Sequence, residues 1–535
     1  MNKNQKNQSV MRSAWFMSLG TLLSRILGFV RDAVIAALFD RTVTDVFSAA
    51  FALPNFFRRF LGEGALAVSF IPVFVDRLYD PKKEAEERTF RARRLSNAVF
   101  TLLSLVSMVV TVVLFVMMRQ IIVLWLGEDE FLKVPGKLDL AVTLSRITIF
   151  YLYLVTVYAY FMAIAQGLKK FFIPALAPAF FNLFFIFIFF VPDSVFVLPE
   201  RKLAWAVIIG GLVQLSMVSV QLYRLGFLPK FTLELKLPGV SEVLKNMAPG
   251  LLGLGAAQIM NIMNQKFAAG LAEGAMTHVY YMNRLLELPQ SLIAISIGTA
   301  LLPTLSQFRS EGKHEEMLKA SHENMRMLLF LSFPSALGLF FLSQPIVKML
   351  FERGMWTAHD TLVVSRLVEI IALTLLFNGI TRVLIPSFYA IKNTLVPALL
   401  SVVTVAFHII LAPQLMKVMG INGLVWSVTL SGLFNLILTM IFYYKMIGTM
   451  YIGRLGQYFG QLMPGLLALA VIVSYGYQWV EGLMHGFLSI SLSNSIALFI
   501  CIAASIFAFF FIGHLLHLKE AHAITGRWAR RFKKS

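Results

Sequence analysis

Four arginines stand in stretches too apolar to be ordinary loops. Arg25 and Arg31 lie in Ser24-Arg25-Ile26-Leu27-Gly28-Phe29-Val30-Arg31-Asp32, Arg58 in Leu53-Pro54-Asn55-Phe56-Phe57-Arg58-Arg59, and Arg284 in Tyr280-Tyr281-Met282-Asn283-Arg284-Leu285-Leu286-Glu287. A guanidinium is charged at every physiological pH and presents a planar fork of donors that fits phosphate or carboxylate oxygens. In hydrocarbon such a charge costs at least about 2.5–3.5 kcal/mol on insertion scales, so it normally faces protein, water or a ligand. Arg25 and Asp32, seven apart, share a helical face with Gly28 between them, where a neighbour can approach closely. Arg59 and Glu63 are spaced i,i+4 and Arg284 and Glu287 i,i+3, so each pair can close within its helix. Arg58 has no acid three or four positions away. Structural ion pairs tying helices together are the plainer reading, and they suit Arg59 with Glu63 best. Around Arg25, Arg31, Arg58 and Arg284 the cations outnumber the acids, which calls for an anionic partner. A pyrophosphate headgroup is the natural candidate.

The elements that must hold these side chains are membrane-spanning helices. Of 535 residues 58% are hydrophobic and only 14% charged, with a mean hydropathy of +0.75. Apolar runs near 20 residues recur along the chain, the length a helix needs to cross a bilayer. Hydropathy and helix breakers place fourteen spans, near 14–39, 45–75, 95–118, 140–166, 172–192, 203–223, 246–270, 276–306, 325–351, 363–389, 394–416, 421–445, 457–480 and 490–516. The net charge of +19 might suggest a nucleic-acid binder. Most of it sits instead in alternate short connections, such as 76–94 and the tail with Arg527, Arg530, Arg531, Lys533 and Lys534, which places both termini in the cytoplasm. The first apolar run imitates a signal peptide, but Arg25, Arg31 and Asp32 mark it as a retained span. No connection on the opposite side is long enough for a folded domain. The function therefore belongs between the helices.

Other residues carry less. Lys266, Arg146 and Lys348 fall near span ends, where snorkelling accounts for them. Arg382 is more central and is divided between lining a cavity and meeting a structural partner. His408, alone on an apolar helix, reads as a packing residue, and 76–94 as a solvated amphipathic connection. Cys501 is the single cysteine, so no internal disulfide or thiolate metal cluster forms. There is no phosphate-binding GxxxxGK[ST] loop and no metal-ligand cluster, which disfavours ATP-driven pumping by this chain alone. No catalytic residue, metal or cofactor is expected, and no nucleic acid.

The two halves echo each other. Leu203-Ala204-Trp205-Ala206-Val207 matches Leu424-Val425-Trp426-Ser427-Val428 at an offset of 221. KKFFIPAL from Lys169 matches KNTLVPAL from Lys392 at 223, and Ser69-Phe70-Ile71-Pro72 resembles Ala300-Leu301-Leu302-Pro303 at 231. Six spans separate repeated elements, so the halves share one topology and predict two pseudo-symmetric six-helix lobes around a central cavity. The expected organisation is an N-terminal lobe over 1–225 and a C-terminal lobe over 226–450. Helices 13 and 14 with the basic tail follow over 451–535.

The arginine-bearing segments also carry a family likeness. SRILGFVRD (Ser24 to Asp32), Asp45 and LPNFFRRFLGEGALAVSFIP (Leu53 to Pro72) resemble the N-terminal signature of the MurJ/MviN lipid II flippases. YYMNRLLELP (Tyr280 to Pro289), GTALLPTLS (Gly298 to Ser306) and Ile385-Pro386-Ser387-Phe388-Tyr389-Ala390 extend the likeness over nearly the whole chain. The resemblance implies an all-helical transporter of the MOP superfamily in the bacterial cytoplasmic membrane. Its two lobes would alternate access and move lipid II, an undecaprenyl-pyrophosphate peptidoglycan precursor, to the outer leaflet. Arg25, Arg31, Arg58 and Arg284 would then bind the headgroup. Asp32, Asp45, Arg59, Glu63 and Glu287 would serve in gating or ion pairing, and Gly28, Asn55, Asn283 and Arg382 as cavity lining. Helices 13 and 14 would hold the polyprenyl tail.

Some relatives have Asp where this chain has Asn283, and some bind sodium through acids on helices seven and eleven. Residues 246–270 and 394–416 contain no Asp or Glu, which argues against a sodium site of that kind. Membrane lipids and cell-wall synthesis enzymes are the further partners the resemblance suggests. The rival readings are a flippase for another polyprenyl-pyrophosphate oligosaccharide, a cation-coupled multidrug exporter, which would want cavity acids, and a non-transporting scaffold.

Overall fold

The computed structural model describes residues 3–58, 66–127, 129–196, 198–297, 301–484 and 490–532. Arg59 and Glu63 lie outside them. Among the described residues every regular element is a helix and none is a strand, as the apolar runs require when backbone groups cannot turn to water.

The chain forms two compact units, Met1–Thr277 and His278–Ser535. The first contains α1 (Lys3–Leu38), α2 (Arg41–Phe57), α3 (Leu66–Leu78), α4 (Ala85–Val116), α5 (Met118–Leu126), α6 (Asp129–Leu132), α7 (Lys137–Thr148), α8 (Phe150–Gly167), α9 (Phe172–Phe187), α10 (Arg201–Arg224) and α11 (Pro238–Ala269). α12 (Ala275–Ile297) begins at its end. Then come α13 (Leu301–Ser310), α14 (His314–Phe341), α15 (Ser343–Phe351), α16 (Ala358–Ala372), α17 (Thr374–Ala390), α18 (Leu395–Met419), α19 (Ile421–Met446), α20 (Ile452–Val471), α21 (Tyr477–Met484), α22 (Ile490–Leu515) and α23 (Lys519–Phe532).

Among the described residues, helices fall within each of the fourteen stretches read from the sequence. Ten helical stretches among the described residues are long and apolar enough to cross a membrane. Those on α1, α2 with α3, α11, and α12 with α13 are not among the ten, so a count of fourteen goes beyond what length and apolarity establish. Among the described residues α11 is diluted by Gln258, Asn261, Asn264, Gln265 and Lys266.

In the first unit α1 packs on α9, α9 on α10, and α2 on α7. The α1–α9 approach depends on Gly20, because a Cβ there would sit 2.8 Å from the Ala175 carbonyl oxygen. Aromatic side chains fill the centre, with Phe70 stacked edge-on to Tyr160 at 4.9 Å. α11, which the sequence assigns to the start of the second lobe, packs against α3, α4 and α5. Its backbone carbonyl at Ile262 accepts a hydrogen bond from Trp125 Nε1 at 3.2 Å. The first compact unit therefore runs on past residue 225.

The repeat is visible as matching interruptions of the helices. α4 passes to the nine-residue α5 at Met117, and α14 to the nine-residue α15 at Leu342. α7 runs into α8 across Ile149, as α16 runs into α17 across Leu373. The turns that follow hold Lys169 and Lys392, each with φ of 60°, a left-handed conformation uncommon outside glycine. In the second unit α20 and α22 join the repeat's own core. Tyr458, Leu462, Leu466 and Phe509 pack in one cluster with Leu328, Phe330 and Phe388, and the Phe330 and Phe509 rings are 4.9 Å apart.

Candidate substrate-binding site

Arg31 is buried and thoroughly engaged. Its Nη2 and Nε donate to Asp32 Oδ1 at 2.7 and 2.9 Å. Its Nη1 donates to Asn182 Oδ1 on α9 at 3.0 Å, and the guanidinium lies 5.3 Å from the Phe185 ring centre. Asn182 is held in turn by donating Nδ2 to the Ser24 carbonyl at 2.9 Å. Because α1 and α9 meet closely at Gly20, one amide can bridge the cation and the backbone of the helix that carries it. Arg25 is half-buried and Gly28 buried on the same helix.

Arg58 closes α2. Its Nε donates to Asn55 Oδ1 at 2.8 Å, so a predicted lining residue orients a predicted binding residue. The local geometry follows from Pro54, which has no N–H to give the Ala50 carbonyl one turn back. The buried Thr148 hydroxyl makes that bond instead, at 2.8 Å. Arg31 and Arg58 both lie within electrostatic reach of the buried Tyr151 hydroxyl, which sits 3.5 Å from Gln214 Oε1. The first unit thus brings two of the four arginines into one polar neighbourhood.

Asp45 is a buried carboxylate with four donors. Lys137 Nζ and Gly274 N reach Oδ2 at 2.9 Å each; Thr277 N and Oγ1 reach Oδ1 at 2.8 and 2.7 Å. These donors take the place of the water that a buried carboxylate gives up. Asp45 joins α2 to α7 and to the turn that opens α12.

In the second unit Arg284 Nη1 donates to Glu287 Oε2 at 2.9 Å, the i,i+3 pair that the spacing predicts. Asn283 and Arg382 are exposed. His408 is fully buried, with Nδ1 3.2 Å from Ser427 Oγ on α19, the place of a packing residue.

Sequence reading passed over Asn182, Lys137, Thr148 and Thr277. Asn182 had a signal, as the lone amide in the apolar run FIPALAPAFFNLFFIF. The others are bound by contacts more than ninety residues away, which spacing does not encode.

Comparison with known proteins resolves the family. A family profile described as lipid II flippase MurJ matches residues 34–498. The chain belongs to the MurJ family of lipid II flippases. A probable lipid II flippase MurJ of Bdellovibrio bacteriovorus is 42% identical over 437 residues, 82% of each chain. The lipid II flippase MurJ of Burkholderia cenocepacia is 29% identical over 481 residues, 87% of each. Among solved structures, a MurJ in an inward closed conformation aligns with a TM-score of 0.73 and 23% identity, over 94% of this chain and 99% of that one. An inward-facing multidrug resistance MATE transporter of the MOP superfamily aligns at 0.66 with 12% identity, over 81% and 98%. At those identities the structural likeness speaks for the fold alone. The MurJ match takes in Asp45, Arg58 and Arg284; it begins after Arg25, Arg31 and Asp32.

Proposed function

We propose that this chain flips lipid II from the inner to the outer leaflet of the bacterial cytoplasmic membrane by alternating access. It would do so as a transporter without catalytic chemistry, crossing the bilayer fourteen times with both termini in the cytoplasm. The observation that carries this reading is the presence of permanent cations on helices of both units, oriented by neutral amides or by single acids. A pyrophosphate headgroup bears charges that Arg25, Arg31, Arg58 and Arg284 would neutralise as it leaves water, the polyprenyl tail staying in lipid on α20–α22. The carboxylates of Asp32, Asp45, Glu63 and Glu287, with Arg59, would exchange partners as the cycle proceeds. The Arg31–Asp32 contact supports this, since an adjacent acid can shield the cation until a phosphate replaces it. Gly28, Asn55, Asn283 and Arg382 would line the path. Among the described residues Arg382 is exposed on a span and has no ion-pair partner, which favours lining over a structural role.

The test uses the full chain in proteoliposomes with labelled lipid II. Arg58→Ala and Arg284→Ala should each abolish flipping while membrane insertion and melting temperature stay near those of the parent. Arg284→Lys should recover only part of the rate, since an ammonium lacks the forked geometry. Unimpaired flipping by both alanine variants would defeat the arginine mechanism. Ion-driven export of a cationic drug in place of lipid II would favour the multidrug reading.

A further inference from the structure

The second unit contains a buried histidine–carboxylate pair that the transport reading does not use. His278 Nε2 lies 2.8 Å from Asp360 Oδ1, with side chains 7% and 2% exposed. The other carboxylate oxygen, Oδ2, accepts from Thr357 N at 2.9 Å and Thr357 Oγ1 at 2.6 Å, closing a capping box at the start of α16. The repeat gives the pair its meaning. Lys137 and Asp360 are separated by 223 residues, the offset of the Lys169 and Lys392 turns. Asp45 and His278 are separated by 233, close to the 231 of the Ser69 and Ala300 segments. Each half therefore ties the opening turns of its second long helix to the opening turn of its fourth by one buried pair. The polarity is reversed, with Asp45 to Lys137 in the first half and His278 to Asp360 in the second.

Around His278 the start of α12 rests on aromatic rings. Tyr281, one turn further, lies 4.7 Å from Phe351 and 4.8 Å from Trp356, and the His278 ring is 6.3 Å from Trp356. Rings can slide over one another, whereas a bond between a ring nitrogen and a capped carboxylate has one direction. A helix turns about 100° and rises about 1.5 Å per residue, so fixing residues 278 and 281 sets where residue 284 points about 9 Å further on.

We infer that His278 and Asp360 are positioning residues for transport: their hydrogen bond sets the rotation of α12 about its axis and thereby the direction of Arg284. This rests on the proposed role of Arg284 in lipid II flipping. A misdirected cation a few tenths of a nanometre from its place loses most of its effect on a bound headgroup.

The experiment compares His278→Leu, which has no donor, with His278→Gln, whose amide can still reach the carboxylate. Both are made in the full chain and reconstituted with labelled lipid II. A spin label at Asn283→Cys, with Cys501→Ser, reports the freedom of α12 beside the arginine. His278→Leu should slow flipping by at least about tenfold and sharpen the label's spectrum, and His278→Gln should restore most of both. Asp360→Asn, which keeps the cap acceptor, should be milder than Asp360→Ala. If His278→Leu flips like the parent, or if His278→Gln is as impaired as His278→Leu at equal melting temperature, the positioning role is wrong. Failure of the underlying reading is separate, because the unmodified chain would then not flip lipid II.

Discussion

Asp45 and Lys137 show what a charge inside a membrane protein demands. Each is nearly inaccessible, and each has its opposite 2.9 Å away. Removing one partner strands the other, which typically costs about 3–5 kcal/mol, whereas replacing both by apolar groups of similar size is far cheaper. Asp45→Ala should therefore lower the melting temperature in detergent markedly, and Asp45→Leu with Lys137→Met should be less harmful than Asp45→Ala alone. A double variant at least as destabilised as Asp45→Ala would contradict this. The sequence singled out Asp45 for gating or pairing but not its partner, because Lys137 stands beside a loop and reads as an ordinary flanking lysine. The Arg284–Glu287 pair was legible because both residues sit on one helix, where spacing determines contact. Arg31 is the intermediate case: its neighbour Asp32 was in view, and Asn182, 151 residues away, was not.

At the scale of elements, the position of Arg58 depends on a repair. Pro54 leaves the Ala50 carbonyl without its helical donor, and Thr148 supplies one across the α2–α7 contact. Thr148→Val should cost about 1–3 kcal/mol, the penalty of an orphaned buried carbonyl. In a Pro54→Ala background the restored N–H at residue 54 can serve Ala50, so the same Thr148→Val change should cost little. Equal losses in the two backgrounds, measured by thermal melting, would contradict the account. Helix positions were largely legible from apolar runs, prolines and short basic connections, because hydrocarbon admits few alternatives. Hydropathy registers only that a residue such as Arg31 is polar, and not the Asn182 amide on α9 that holds it. α11 also shows why a lobe boundary is hard to read: its sequence position suggests the second half, and its packing is with α3, α4 and α5.

For the whole molecule, the duplicated architecture shows in matched helix interruptions and matched buried pairs. Both halves repeat the same helix interruptions and the same left-handed turn at Lys169 and Lys392, and both close an acid–base pair between corresponding helices. The cations assigned to the headgroup are distributed unevenly, with Arg25, Arg31 and Arg58 in the first unit and Arg284 in the second. Short sequence echoes were enough to find the duplication; the interruptions that confirm it needed the backbone. The central claim is that these arginines serve the movement of a lipid pyrophosphate between leaflets. Its most direct measurement is the leaflet distribution of labelled lipid II in cells that depend on this chain, before and after its depletion, with complementation by the parent and by Arg58→Ala. Lipid II should accumulate in the inner leaflet on depletion, return to the outer leaflet with the parent, and remain inside with Arg58→Ala. An unchanged distribution after depletion, or full recovery with Arg58→Ala, would contradict the account.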